Sequence, residues 1–153
     1  MNKPVLVTLL TIFTISLTAC GGSSQKIVSF QNELNTVIAE METIHNDLNN
    51  LDVTAPDAAD TALEKLNDLD GAFKELKAIE ITDTDYAYIT DLAAEGSDYM
   101  TQAYDLFTKA YQNDSVDEET ADLAYQYLER ASKRVRVIVT MLHGELPDDV
   151  IVH

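Results

Sequence analysis

Two polar residues in the first half of the chain have the spacing of a metal-binding motif. Glu42 and His45 form a Glu-x-x-His pair, and residues three apart lie on the same side of a helix. Di-iron helical bundles need two such pairs together with carboxylates from the other helices. The sequence contains no second pair, and Glu42 lies about 100° around a helical wheel from the apolar Met41. We therefore predict that both side chains are exposed to solvent and bind no metal.

Three aspartates near residue 85 partly match a calcium-binding loop. Asp83, Asp85 and Asp91 provide carboxylates at suitable positions. Tyr88 stands where such a loop needs glycine, and Ala94 stands at the twelfth position, where it needs glutamate. Since negative charges at a helix start are already favoured by the helix dipole, we predict no calcium site here.

Met41 and His143 are of the residue types that ligate haem iron. In an antiparallel bundle His143 would return close to the start of the first helix, whereas Met41 would lie about 20 Å further along it, at 1.5 Å per residue. The chain also has no Cys-x-x-Cys-His motif. We predict no haem and no other cofactor.

The three histidines do not show a pattern typical of an enzyme. They are His45, His143 and His153, and none lies in a glycine-rich or strand–turn–helix context of the kind that positions catalytic side chains. The sequence therefore favours a non-enzymatic protein.

The tyrosines all fall in the second half of the chain. They are Tyr86, Tyr88, Tyr99, Tyr104, Tyr111, Tyr125 and Tyr127. On a helical wheel, Tyr86, Tyr104 and Tyr111 flank one side of an apolar stripe, while Tyr88 and Tyr99 flank the other. One interpretation is packing at the rim of a core, with the rings covered and the hydroxyls in water. The other is a partner-binding surface formed by these five tyrosines, because aromatic residues are enriched at interfaces.

The only cysteine stands at the end of an apolar leader. Lys3 precedes residues 5–17, which contain no ionisable side chain. This run is too short to span a bilayer comfortably, since a spanning helix needs about 20 apolar residues. A positive start, a short apolar centre and small residues at the end indicate a secretory signal peptide over residues 1–19.

The last four residues of this leader region, Leu17-Thr18-Ala19-Cys20, resemble the lipobox of bacterial lipoproteins. The resemblance implies cleavage after Ala19, a diacylglyceryl thioether on Cys20, and a further fatty acyl chain such as palmitate on the new amino terminus. An unpaired cysteine in an exported protein calls for such an explanation, and two or more acyl chains form a lasting membrane anchor. The resemblance covers only about the first twenty residues, and we recognise no specific family in the mature domain.

Residues 20–26 contain the lipidated cysteine and a small, polar segment that predicts a flexible tether. Gly21 rather than aspartate follows Cys20. In a bacterium with two membranes this implies the outer membrane, and in a bacterium with one it implies the outer face of the cell membrane. The expected location is therefore extracytoplasmic and lipid-anchored.

The composition restricts the range of partners. Without residues 1–19 the 153-residue chain is 134 residues long, and it keeps 9 of the 10 basic residues against all 27 acidic ones, a formal charge of −18. Nucleic-acid binding needs a basic footprint, so we exclude it. Few Gly and Pro residues and no Trp indicate a helical domain of ordinary size.

Four segments repeat apolar residues at alternating steps of three and four, as amphipathic helices of coiled-coil type do. They run from about Lys26 to Leu51, from Pro56, from Thr82 or Asp83, and from the capping-box pattern Ser115–Glu118 to Gly144. The predicted buried residues are Ile27, Phe30, Leu34, Val37, Met41, Ile44, Leu48 and Leu51; Ala59, Ala62, Leu66, Leu69, Phe73 and Leu76; Ile89, Ala93, Gly96, Met100, Ala103, Phe107 and Ala110; and Ala121, Ala124, Leu128, Ala131, Val135, Ile138 and Leu142. Gly71 interrupts the second segment.

Short loops make consecutive helices antiparallel, so these segments predict an all-α, up-down-up-down four-helix bundle over residues 27–144, followed by a tail at 145–153. A partly open stack of helical hairpins is the alternative. In the up-down-up-down bundle, the acidic turns between the first and second helices and between the third and fourth helices would lie far from the membrane. Lys133, Arg134 and Arg136 would lie nearer to it.

For function, the sequence predicts a lipid-anchored binding or scaffold module with an envelope protein as partner. The alternative is a lipoprotein that binds a small ligand or metal between its helices.

Overall fold

The computed structural model describes residues 29–82, 84–112 and 116–142, and they form an all-α four-helix bundle. The helices are α1 (Ser29–Asn49), α2 (Ala58–Ala78), α3 (Ala87–Ala110) and α4 (Glu118–Leu142), with one turn of 3₁₀ helix at Thr84–Tyr86. None of these helices combines the length and apolar character needed to cross a bilayer. The leader, Cys20, the tether and the tail at 145–153 lie outside the described residues.

Consecutive helices run antiparallel, as predicted. The pairs that show this are Val37 with Ile79 and Asp47 with Lys65 between α1 and α2, Asp70 with Thr101 and Lys77 with Asp98 between α2 and α3, and Phe107 with Tyr125 and Glu95 with Arg134 between α3 and α4. Within each pair of helices, residue numbers rise along one helix as they fall along the other. The α1–α2 and α3–α4 turns therefore lie together at what we call the distal end, and α1 begins and α4 ends at the proximal end.

The predicted apolar stripes form the core. The largest fully buried side chains are Phe73, Phe107, Leu34, Ile38, Met41, Leu76, Ile89, Met100, Ile138 and Val135. Three predictions in these stripes were wrong in detail: Ala58 rather than Ala59 is buried at the start of α2, and Leu51 and Leu142, at the ends of the first and last segments, are only half-buried. The predicted Ile27 lies outside the described residues. α2 begins at Ala58 rather than near Pro56, and its first buried positions, Ala58, Ala62 and Leu66, are spaced by four residues.

Small residues bring α3 and α4 close together, and this is the most extensive helix pairing in the bundle. Gly96 on α3 lies where three helices meet. A Cβ atom placed there would be 3.2 Å from Phe73 Cε1 on α2 and 3.4 Å from Arg134 Cβ on α4. Gly71 on α2 differs, because a Cβ placed there would have nothing within 4 Å.

One charged side chain lies inside the bundle. Asp70 on α2 is only 3 % exposed, and its two carboxylate oxygens accept hydrogen bonds from Lys74 Nζ at 2.6 Å and from Thr101 Oγ1 on α3 at 2.8 Å. Burying a carboxylate is unfavourable unless its oxygens are bonded in this way. The hydrogen bond to Asp70 also raises the pKa of Lys74. A shifted alignment of α2 and α3 would leave Asp70 without Thr101, so this contact favours the alignment observed.

The start of α4 differs from the predicted capping box. The helix begins at Glu118, and its cap is Asp117, whose carboxylate accepts hydrogen bonds from Thr120 N at 3.2 Å and Thr120 Oγ1 at 2.7 Å. Ser115, the predicted cap, lies outside the described residues. Aspartate is as good a helix cap as serine. The sequence was therefore compatible with a cap at Ser115 or at Asp117, and the structure has the cap at Asp117.

Candidate partner-binding surface

The five tyrosines predicted to form a surface are all half-buried and packed against the core. They do not form one patch, because Tyr88 and Tyr111 lie about 35 Å apart along α3 at 1.5 Å per residue. Tyr86 packs at the proximal end against Phe30 of α1, with ring centroids 5.3 Å apart. Rim packing therefore accounts for most of the tyrosines.

A group of aromatic and basic residues surrounds Tyr99 near the middle of the α3–α4 face. The centroids of the Tyr99 and Tyr127 rings lie 6.1 Å apart. The Arg130 Cζ atom lies 5.9 Å from the Tyr99 centroid and 5.2 Å from the Tyr127 centroid. Arg134 Cζ lies 5.6 Å from the Tyr99 ring, and Arg134 Nε lies 2.5 Å from Glu95 Oε2. We call Tyr99, Tyr127, Arg130 and Arg134 the Tyr–Arg cluster.

The Tyr–Arg cluster has the composition of a protein-binding site. Tyrosine and arginine are enriched among the residues that dominate binding energies. A guanidinium stacked on a ring gains about 0.5–1 kcal/mol at an exposed site, and its orientation is partly settled before a partner arrives. A planar guanidinium can then donate two hydrogen bonds to one carboxylate. Since Arg134 is already paired with Glu95, the arrangement suits a partner segment that presents a carboxylate to Arg130 beside apolar side chains.

Sequence reasoning identified Tyr99 but missed Tyr127, Arg130 and Arg134 as its neighbours. The spacing of the three on α4 contained a usable signal, since residues three and four apart share a helix face. Which residue of α3 they meet depends on the alignment between two helices, and spacing within one helix does not specify it.

The aromatic residues at the distal end form a separate, structural contact. Tyr125 meets Phe107 edge to face with centroids 4.9 Å apart, and its hydroxyl is hydrogen-bonded to that of Tyr111. Burial raises the pKa of both tyrosines. Both hydroxyls therefore stay neutral at physiological pH and serve to close the bundle.

Glu42 and His45 are half-buried, so the prediction that both are exposed was wrong. They follow Ile38 by four and seven residues on the same side of α1, and Ile38 is itself buried beside the main stripe. The buried face of α1 is thus wider than the stripe alone. Burial lowers the pKa of His45, and Glu42 Oε1 is buried without a hydrogen-bond partner.

The remaining ligand-type residues do not gather into a site. Within residues 29–82, 84–112 and 116–142, no group of three or more His, Cys, Asp or Glu residues is arranged to hold a metal ion. Met41 is a core residue, 1 % exposed, and Asp91 is exposed on α3. Asp83 and His143 lie outside the described residues.

The chain matches no protein-family model, no curated protein and no solved structure.

Proposed function

We propose that this protein is a lipid-anchored, extracytoplasmic bacterial lipoprotein that acts as a non-enzymatic binding or scaffold module at the cell envelope. Membrane attachment rests on the resemblance of residues 17–20 to a lipobox. The binding role rests on the Tyr–Arg cluster, in which the guanidinium groups of Arg130 and Arg134 lie over tyrosine rings on the α3–α4 face. Its partner is an envelope protein with a carboxylate-bearing segment.

The anchor is tested by labelling with a fatty-acid analogue in a bacterial host. The full chain should incorporate the label, and the Cys20→Ala variant should not. Equal labelling of the two proteins would refute the lipobox interpretation.

The binding surface is tested by a photo-crosslinking amino acid placed at exposed position 126, one helical turn from Arg130 on the same face of α4, with exposed position 60 on α2 as the control. Position 126 should give one discrete adduct with an envelope protein, and the Arg130→Ala variant should reduce it. Identical adduct patterns from positions 126 and 60 would refute this role for the cluster.

One observation favours the alternative of a small ligand bound between helices, namely the buried and unbonded Glu42 Oε1. Native mass spectrometry of the full chain in detergent would then show a stoichiometric additional mass, and the Glu42→Gln variant would lose it. A spectrum of the protein and its acyl chains alone would exclude a ligand that survives purification.

A further inference from the structure

A groove runs along the outer face of α1 and α2, on helices that do not contribute to the Tyr–Arg cluster. It consists of a hollow of ≈ 470 Å³ towards the proximal end and one of ≈ 290 Å³ towards the distal end. The residues that line it are Asn32, Glu33, Thr36, Val37, Glu40 and Ile44 on α1 with Asn67, Asp68, Gly71, Ala72, Glu75, Ala78 and Ile79 on or directly after α2. Because Glu75 lines both hollows, they form one continuous surface, which we call the α1–α2 groove.

The two walls of the α1–α2 groove repeat the same pattern in opposite directions. On α1 the order is Glu33, Val37, Glu40, Ile44, and on α2 it is Asp68, Ala72, Glu75, Ile79, with steps of four, three and four in both. This spacing keeps each set on one helix face. The result is a floor of Val37, Ile44 and Ala72, which are buried, and of Ile79, which is half-buried, with carboxylates along both rims.

Among the residues that the structure describes, most of the rim carboxylates have no ion-pair partner. Asp68 lies 3.9 Å from Lys65, but none of the ion pairs or hydrogen bonds within the described residues involves Glu33, Glu40 or Glu75. Glu40 and Glu75 line the same hollow from opposite helices. Like charges that face each other across a groove disfavour the fold, so a cation from outside would relieve this repulsion.

The acidic distal end is a weaker candidate for a basic partner, because three of its carboxylates already have contacts within the fold. Asp52 accepts hydrogen bonds from Thr54 N and Thr54 Oγ1, Asp117 caps α4, and Asp47 lies 3.1 Å from Lys65. These three carboxylates therefore have partners within the fold, whereas Glu33, Glu40 and Glu75 have none among the described residues.

Gly71 keeps the distal hollow open. It lies in the interior of α2, where glycine is less favourable than alanine by about 0.5–1 kcal/mol, and a Cβ there would meet nothing within 4 Å. A larger side chain at this position would project into the space that the hollow provides.

We infer that the α1–α2 groove binds a basic amphipathic helix of a partner protein, an inference that rests on the proposed role as a binding module. An apolar side chain of that helix enters the proximal hollow beside Ile79, and its flanking lysine or arginine residues meet Glu33, Glu40 and Glu75. Amphipathic helices bind apolar grooves in this manner through residues at i, i+3, i+4 and i+7. A helix fits better than a single metal ion, because the described carboxylates do not converge on one point.

The test measures binding of an 18-residue fluorescent peptide of Leu, Ala and Lys, designed as an amphipathic helix, to the full chain in neutral detergent. Fluorescence anisotropy should give saturable binding, and the same peptide with Glu in place of Lys should not bind. The Glu40→Lys and Glu75→Lys variants should each weaken binding at least tenfold. The matched controls Asp91→Lys and Glu129→Lys, exposed on α3 and α4, should weaken it less than threefold.

Equal weakening by all four lysine variants would overturn the inference, since it would show only general attraction to an acidic protein. A further variant, Gly71→Leu, fills the groove without changing charge and should also weaken binding tenfold while the melting temperature stays near that of the parent. Unchanged affinity for Gly71→Leu would place the peptide elsewhere.

The same experiment separates this inference from the proposed function. Peptide binding in detergent needs neither the acyl chains nor the Tyr–Arg cluster. Loss of groove selectivity with intact lipidation and crosslinking from position 126 would overturn the groove alone. Selective binding of the peptide to the groove, without lipidation and without the crosslinked adduct, would overturn the proposed function and leave the groove inference standing. Sedimentation of the full chain in detergent tests whether a second copy of this chain occupies the groove. Dimers that Glu40→Lys abolishes would show that the occupant is another copy of this chain and not a partner helix.

Discussion

The two helical glycines provide a prediction in which one substitution has opposite effects at two sites. Replacing either residue with alanine removes conformational freedom from the unfolded chain, which favours the folded state by about 0.5–1 kcal/mol. At Gly71 nothing within 4 Å of the new Cβ opposes this gain. We therefore expect Gly71→Ala to stabilise the protein by about 0.5–1 kcal/mol, or roughly 2–4 °C in melting temperature for a domain of this size.

At Gly96 the same gain is opposed by close contacts. The new Cβ would lie 3.2 Å from a ring carbon of Phe73, which is 1 % exposed, and 3.4 Å from Arg134 Cβ. Such overpacking in a core costs about 1–3 kcal/mol, because the ring and its neighbours have little room to move. We expect Gly96→Ala to be destabilising, by roughly 1 kcal/mol after the gain in the unfolded state is included.

The assay is thermal and denaturant unfolding of the parent and the two variants, followed by circular dichroism under one set of conditions. Equal stabilisation by both substitutions would refute the close approach of α2, α3 and α4 at Gly96. A loss of stability in Gly71→Ala would refute the open position of Gly71 on α2.

Two further predictions concern charge. Hydrogen bonds from Thr120 lower the pKa of Asp117, so its stabilising effect is complete above the ordinary value of 3.8 and is lost as the pH falls through the lower, folded-state value. Asp117→Ala should therefore melt below the parent at pH 7 and converge with it in strong acid, whereas a constant difference would mean that the cap does not act through its carboxylate. On α4, Lys133 and Arg136 are exposed and lie in the proximal half, so replacing both with alanine should weaken binding of the Cys20→Ala protein to anionic vesicles at low salt, by up to about 1 kcal/mol per residue. Unchanged sedimentation with the vesicles would refute contact between this face and the membrane.

Patterns within single helices predicted much of this fold. Every predicted buried position of α3, from Ile89 to Ala110, is buried, because burial of an amphipathic helix follows directly from apolar spacing. The buried Asp70 could not be found in this way, since a charge beside an apolar stripe looks like a surface residue until Thr101 of another helix supplies its partner. Ile38 was missed for a related reason: a second row of contacts widens the buried face of α1.

The surfaces were harder to predict than the core. The Tyr–Arg cluster depends on the alignment of α3 with α4, and the α1–α2 groove depends on how closely two helices pack. Both are properties of pairs of helices. The spacing of Glu33 and Glu40, and of Asp68 and Glu75, was visible in the sequence, but only the antiparallel pairing turns these residues into the two rims of one groove.

The arrangement of the helices determines how the bundle would respond to mechanical load. Since α1 begins and α4 ends at the proximal end, tension between the tether and the end of α4 would separate the helices one turn at a time from that end. Tension between the tether and a partner in the α1–α2 groove would act differently, because it would pull along α1 and would have to shear all of its core contacts together. With the proposed anchor at Cys20, such a load would reach it through α1, the helix nearest to it in the sequence, without passing through the α3–α4 pair. Force applied through a partner in the α1–α2 groove would therefore act along the direction in which the bundle resists separation most strongly.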